Sequence, residues 1–227
     1  MNLSSWYFLA LICLFLPYMS IAGHRRLVKT DHSLPSKTRL RVRTVLILWI
    51  LGALGFAVAN LDHLHLLPTW EPHLAEVLLG LGILVAFYGL RAILRTWLAK
   101  TGNRFGGLLL PSKVKELPLW FLVSLSAGII EEYVYRGVTY DLLLYRFDYP
   151  ALAITIASLT FGLSHYAQGV RAVAFIAVLA VGMHLLVNYS GSLYTAMAVH
   201  VIYDLAAGIQ NVMESRSASS SDLTSEP

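Results

Sequence analysis

Three short clusters in this sequence have residue types that could do chemistry: Glu131, Glu132 and Arg136; then Phe161 and His165; then His200 and Asp204. All sit in apolar surroundings. An ionisable side chain at the centre of a membrane helix costs roughly 2.5 to 3.5 kcal/mol on insertion scales, so such residues are read first as functional. Carboxylates accompanied by histidines suit acid–base hydrolysis, or hydrolysis assisted by a metal ion.

Spacing refines this reading. Glu132 and Arg136 are four apart, on one helical face and within ion-pairing range, while Glu131 is turned about 100° away. One glutamate is therefore neutralised locally and its neighbour faces something else. Phe161 and His165 are also four apart, and Gly162 and Ser164 between them permit close helix approach. His200 and Asp204 repeat the spacing, which allows the carboxylate to hydrogen-bond the imidazole and fix its tautomer. His184 has no such companion and reads as a packing residue or as one that supports the site residues from behind. Two chemistries fit the set. In one, Glu131 and His165 activate water while His200 and Asp204 stabilise an oxyanion, with no cofactor. In the other, Glu131, His165 and His200 hold Zn²⁺ and leave a position for water. The sequence has neither a His-Glu-x-x-His motif nor a Gly-x-Ser-x-Gly elbow.

The elements that must position these residues are helices in a membrane. Hydrophobic residues make up 57% of the 227 and charged residues 13%, which is too apolar for a soluble domain. No ten-residue alternating pattern marks an outer-membrane barrel, so the expected class is all-α and polytopic. Seven spans are expected, at about 5–22, 44–61, 74–91, 117–145, 150–167, 172–189 and 192–210, with the polar site among the last four. Glu131 meets residues of the fifth span only if the fourth helix runs well past Arg136. Residues 1–116 read as N-terminal helices, 117–210 as the chemical core and 211–227 as a disordered tail.

The net charge of +4 does not point to nucleic acid, because the basic residues cluster beside apolar spans. Arg25, Arg26, Lys29, Lys37, Arg39, Arg41 and Arg43 lie in one such loop, opposed by Asp31; Arg91, Arg95, Lys100, Arg104, Lys113 and Lys115 lie in another. By the positive-inside rule both loops are cytoplasmic, with the N-terminus outside and the C-terminus inside. The first span, with no positive charge before it, reads as a retained anchor rather than a signal peptide. Leu61 to His73, with Asp62, His63, His65, Glu71 and His73, reads as a solubilising outer loop broken by Pro68 and Pro72 and anchored by Trp70. Cys13 is the single cysteine, so no intrachain disulfide forms.

The ordered set Glu-Glu-x-x-x-Arg, Phe-x-x-x-His and His-x-x-x-Asp resembles that of the CAAX-protease and bacteriocin-processing (CPBP, or Abi) intramembrane proteases, over roughly Leu117 to Gln210. The resemblance implies an endopeptidase acting within the membrane, described both as a metalloendopeptidase and as a glutamate-dependent enzyme. It implies that Glu131 with His165 activates water, that His200 with Asp204 stabilises the oxyanion, that Glu132 and Arg136 are structural, and that Phe161 lines the site. Its implied partners are a membrane-anchored protein or peptide substrate and the bilayer. Relatives process CAAX tails, mature peptides, or act in bacteriocin immunity; the compact chain suits a bacterial inner membrane. The competing expectations are a non-catalytic scaffold or immunity protein of the same fold, and a proton-coupled transporter.

Overall fold

The computed structural model describes residues 1–29, 36–67, 73–94, 97 and 109–224, with side chains described outside 27–29 and 218–224. Arg95, Lys100, Arg104 and Asp31 of the basic loops, and Pro68, Trp70, Glu71 and Pro72 of the outer loop, lie outside the described residues. Among those described, the chain is helical without strands. Helix α1 (Leu3–Ala10) passes through wider, π-type turns at Leu11–Phe15 into α2 (Leu16–Lys29). Then come α3 (Lys37–Leu61) and α4 (Leu74–Ile93). Helix α5 (Leu117–Glu132) continues through a π-type segment, Tyr133–Thr139, into α6 (Tyr140–Phe147). Helices α7 (Pro150–Ser164), α8 (Val170–Ser190) and α9 (Leu193–Thr224) complete the chain.

Each of the seven expected spans is helical, but among the described residues five helices are long and apolar enough to cross a membrane: Leu3–Arg26, Lys37–Leu61, Leu74–Ile93, Val114–Phe147 and Val170–Ser190. Two fall short of the expected seven. Helix α7, started by Pro150 and ended at His165, has 15 residues, which at 1.5 Å per residue is below a ~30 Å core. In α9, His200, Asp204 and the polar residues after Gln210 dilute the apolar run. That helix also continues to Thr224, into the segment expected to be disordered. No Pro or Gly interrupts it after Gly208, and Ser215 Oγ donates back to the Asn211 carbonyl at 2.8 Å.

The Val114–Phe147 run is 34 residues long and passes well beyond Arg136. It is the central helix: α3 and α9 pack along it, α7 packs on both α2 and α8, and α4 leans on α8 and α9. Successive helices reverse direction, so ends collect at two faces. At one face, Ser20 Oγ accepts from the Ala167 amide and Asn211 Nδ2 donates to the Pro111 carbonyl. At the other, Asn2 Nδ2 donates to the Leu61 carbonyl. Asp62 there is a tie rather than a solubilising charge, bonded to the Asn2 amide and to Ser5 Oγ. His63, His65 and His73 of the same loop are exposed.

Helix α1 is not peripheral, since Phe8, Leu9 and Ile12 are buried in the same core as Ile130, Val134, Val138 and Phe161. Arg41 also departs from its expected loop role. It is 1% exposed; its Nε donates to the Leu109 carbonyl at 2.7 Å, and its Nη2 to the Leu110 carbonyl at 3.1 Å and to Glu116 at 2.7 Å. Arg25, Arg26, Arg39, Arg43, Lys113 and Lys115 remain exposed at that face, as topogenic charges do.

Candidate active site

Close contact between α5 and α9 builds the site. A Cβ on Gly128 would lie 2.9 Å from the Val201 backbone nitrogen and 3.2 Å from the Met197 carbonyl oxygen, so only glycine permits this approach. One turn later the approach brings Glu131 and Glu132 against His200. Gly162 does the same for α7 and α8, where a Cβ would lie 2.8 Å from the Val173 carbonyl oxygen. Ser164 acts instead by hydrogen bonding: its Oγ lies 3.0 Å from the Tyr135 hydroxyl and donates to the Thr160 carbonyl at 2.9 Å.

Glu132 is fully buried, and its Oε1 accepts from two donors: Arg136 Nη1 at 3.1 Å and His200 Nδ1 at 2.6 Å. Glu131 lies on the other side of the ring, its Oε2 3.9 Å from His200 Nε2. Asp204 Oδ2 is 3.8 Å from the same nitrogen. His200 therefore sits among three carboxylates. The sequence reading gave tautomer control of His200 to Asp204, but 3.8 Å is too long for a hydrogen bond, and Glu132 makes that bond. Spacing on α9 guarantees that Asp204 is near; aim comes from another helix. The Asp204 backbone is itself held, with Trp120 Nε1 donating to its carbonyl at 3.0 Å.

His165 ends α7, and its Nδ1 lies 2.9 Å from the Phe161 carbonyl. A carbonyl only accepts, so Nδ1 carries the proton and Nε2 is the ring nitrogen left to the site. Phe161 stands at the crossroads. Its ring lies 4.7 Å from that of His165 and 6.4 Å from that of His200, and the Arg136 guanidinium stacks 4.5 Å from its centroid. Tyr135 meets it edge-on at 4.9 Å.

The side chains divide by access. Glu132 and Arg136 are at most 1% exposed, whereas Glu131, His200 and Asp204 retain 18%, 15% and 25%. An incoming molecule thus meets Glu131, His200 and Asp204, with the ion pair behind them. Of the trio considered for Zn²⁺, Glu131 Oε2 lies 3.9 Å from His200 Nε2, and Phe161 lies against both imidazoles. Among the described residues no group of three or more His, Cys, Asp or Glu is placed to hold a metal.

Sequence reasoning missed the bond from His200 to Glu132, the Trp120 anchor and the π-type segment Tyr133–Thr139. π-type turns within α-helices often occur at functional sites, but no residue pattern in this stretch announces them.

Helices long and apolar enough to cross a membrane, with carboxylates and histidines packed between them, mark a multi-pass membrane protein. A family model described as Type II CAAX prenyl endopeptidase Rce1-like matches residues 113–206, a stretch that contains all three motifs. The matched stretch is similar to Rce1-like proteins, consistent with the CAAX-protease and bacteriocin-processing family, and it covers less than half of the chain. Neither a curated protein nor a solved structure matches the chain.

Proposed function

We propose that this protein is an intramembrane endopeptidase that hydrolyses a peptide bond of a membrane-anchored protein or peptide, with Glu131 activating the water. The observation that carries the reading is the unequal treatment of two adjacent glutamates. Arg136 and His200 both engage Glu132, while Glu131 keeps its carboxylate at the accessible side of the same imidazole.

In this reading Glu131 takes a proton from water as the water oxygen attacks the scissile carbonyl, and His165 Nε2 accepts the water's second hydrogen bond. The carbonyl π electrons move to oxygen. That oxyanion receives a hydrogen bond from Nε2–H of His200 in its imidazolium form, which Glu132 holds through Nδ1–H. Collapse of the tetrahedral intermediate breaks the C–N bond, and Glu131 returns its proton to the leaving amine. Asp204, 3.8 Å from Nε2, adds negative charge beside the ring that Glu132 orients. The low-dielectric, water-poor setting strengthens each of these interactions. The orientation proposed is N-terminus outside and C-terminus cytoplasmic, from the exposed basic residues at one face, and the membrane proposed is a bacterial inner membrane.

The test sets wild type beside Glu131→Gln, purified in detergent, on a library of membrane proteins, with metal analysis and chelator controls. Cleavage that survives chelation and is lost in Glu131→Gln supports the proposal. Cleavage that persists in a folded Glu131→Gln overturns it. Stoichiometric zinc that is lost in His165→Ala and His200→Ala would replace the metal-free mechanism with a metalloprotease.

A further inference from the structure

His184 on α8 belongs to none of the three motifs and is 1% exposed. Neither of its ring nitrogens has a hydrogen-bond partner among the described residues. Its helix packs against the Tyr133–Thr139 segment that carries Arg136, and the ring of Tyr140, four residues beyond Arg136, packs 5.3 Å from its own. The ion pair is itself incompletely satisfied: Glu132 Oε2 and Arg136 Nε are buried without partners among the described residues, as is Thr139 Oγ1. Glu132 spends its other oxygen on Arg136 and His200. The turns that carry the ion pair and the buried ring of His184 thus all hold donors or acceptors without partners among the described residues.

Buried polar groups left unpaired are costly, and small polar cavities between them are ordinarily filled by ordered water making two to four hydrogen bonds. The side chains around this spot supply both kinds of partner. Arg136 Nε–H only donates, Glu132 Oε2 only accepts, and a neutral imidazole does one at each nitrogen. A packing histidine would need none of this, and an apolar residue would fill the same volume without orphaned atoms.

We infer that His184 is a positioning residue for the site: ordered water bridges its ring to Glu132 Oε2 and Arg136 Nε, and so fixes the carboxylate that holds His200. The effect on cleavage rests on the protease reading; the water site itself does not. Loss of the bridge lets the Glu132 carboxylate turn, which moves the His200 Nε2–H, a donor used when the oxyanion forms. The cost therefore falls on kcat rather than on KM.

The experiment has two arms. A wild-type crystal structure at a resolution that resolves waters should show water within hydrogen-bond distance of a His184 nitrogen and of Glu132 Oε2 or Arg136 Nε. A dry contact there overturns the inference, whether or not the protein cleaves anything. In the kinetic arm, His184→Leu removes the hydrogen bonds and His184→Gln keeps them. His184→Leu should lower kcat about tenfold with KM within about twofold, and His184→Gln should recover most of that loss. Equal kcat in wild type, His184→Leu and His184→Gln, or an equal loss in both variants, overturns the positioning role.

Discussion

Replacing Glu132 by Gln separates the buried carboxylate from its accessible neighbour most cleanly. The substitution keeps the shape but removes the charge that Arg136 and His200 share. Hydrogen bonds to charged groups contribute about 1.5–3 kcal/mol each, against about 0.5–1.5 kcal/mol for neutral ones. Two such bonds weaken together, so about 2–3 kcal/mol of stability is lost. The remaining attraction of Arg136 for the Phe161 ring, at 4.5 Å, retains part of its environment. Removing the side chain entirely, as in Glu132→Ala, leaves a buried cation without its partner and costs about 3–5 kcal/mol. Glu131→Gln makes the contrast. Its 3.9 Å contact with a ring that is itself partly accessible contributes about 1 kcal/mol or less. Reversible unfolding in mixed detergent micelles measures all three variants against wild type. The order Glu132→Ala, Glu132→Gln, Glu131→Gln, from least to most stable, is the expected result. Equal destabilisation by Glu131→Gln and Glu132→Gln would refute the division of labour between the two carboxylates.

Gly128→Ala should destabilise by about 1–3 kcal/mol and abolish cleavage, because the added Cβ meets α9 backbone that cannot move without withdrawing His200; unfolding and activity measured on one preparation would show both losses. Arg41→Ala should cost about 3–5 kcal/mol by leaving Glu116 and two carbonyls without their donor, and Arg41→Lys should recover only part, since an ammonium does not reproduce the guanidinium fork. Phe161→Leu should lower stability by about 1–2 kcal/mol through loss of the Arg136 stack and both imidazole contacts, and thermal unfolding in micelles would register it.

The sequence made the four-residue spacings and the apolar runs legible, because a helix turns these directly into shared faces and lengths. Glu132 and Arg136 needed nothing more than their own helix to meet. What stayed illegible was whatever two helices decide together. Asp204 is nearer to His200 in sequence, yet Glu132, 68 residues away, makes the short bond. Arg41 looked like one more positive charge in a basic loop, and only the carbonyls of Leu109 and Leu110 show why it is buried. Among the described residues five helices, against the expected seven, are long and apolar enough to cross, for a similar reason. Apolar composition in α7 reports burial against α2 and α8 as much as exposure to lipid, and 15 residues are too few to cross alone.

The order of helices along the chain also constrains how the protein is made. Glu132 and Arg136 lie on one helix and pair across four residues, so their charges can offset each other as soon as that helix leaves the ribosome and enters the bilayer. His200 arrives on the last helix. Until α9 docks against Gly128, the nascent chain holds a neutralised pair but no assembled site. In the proposed hydrolase the site therefore stays incomplete until α9, which follows every other described helix, has inserted and docked.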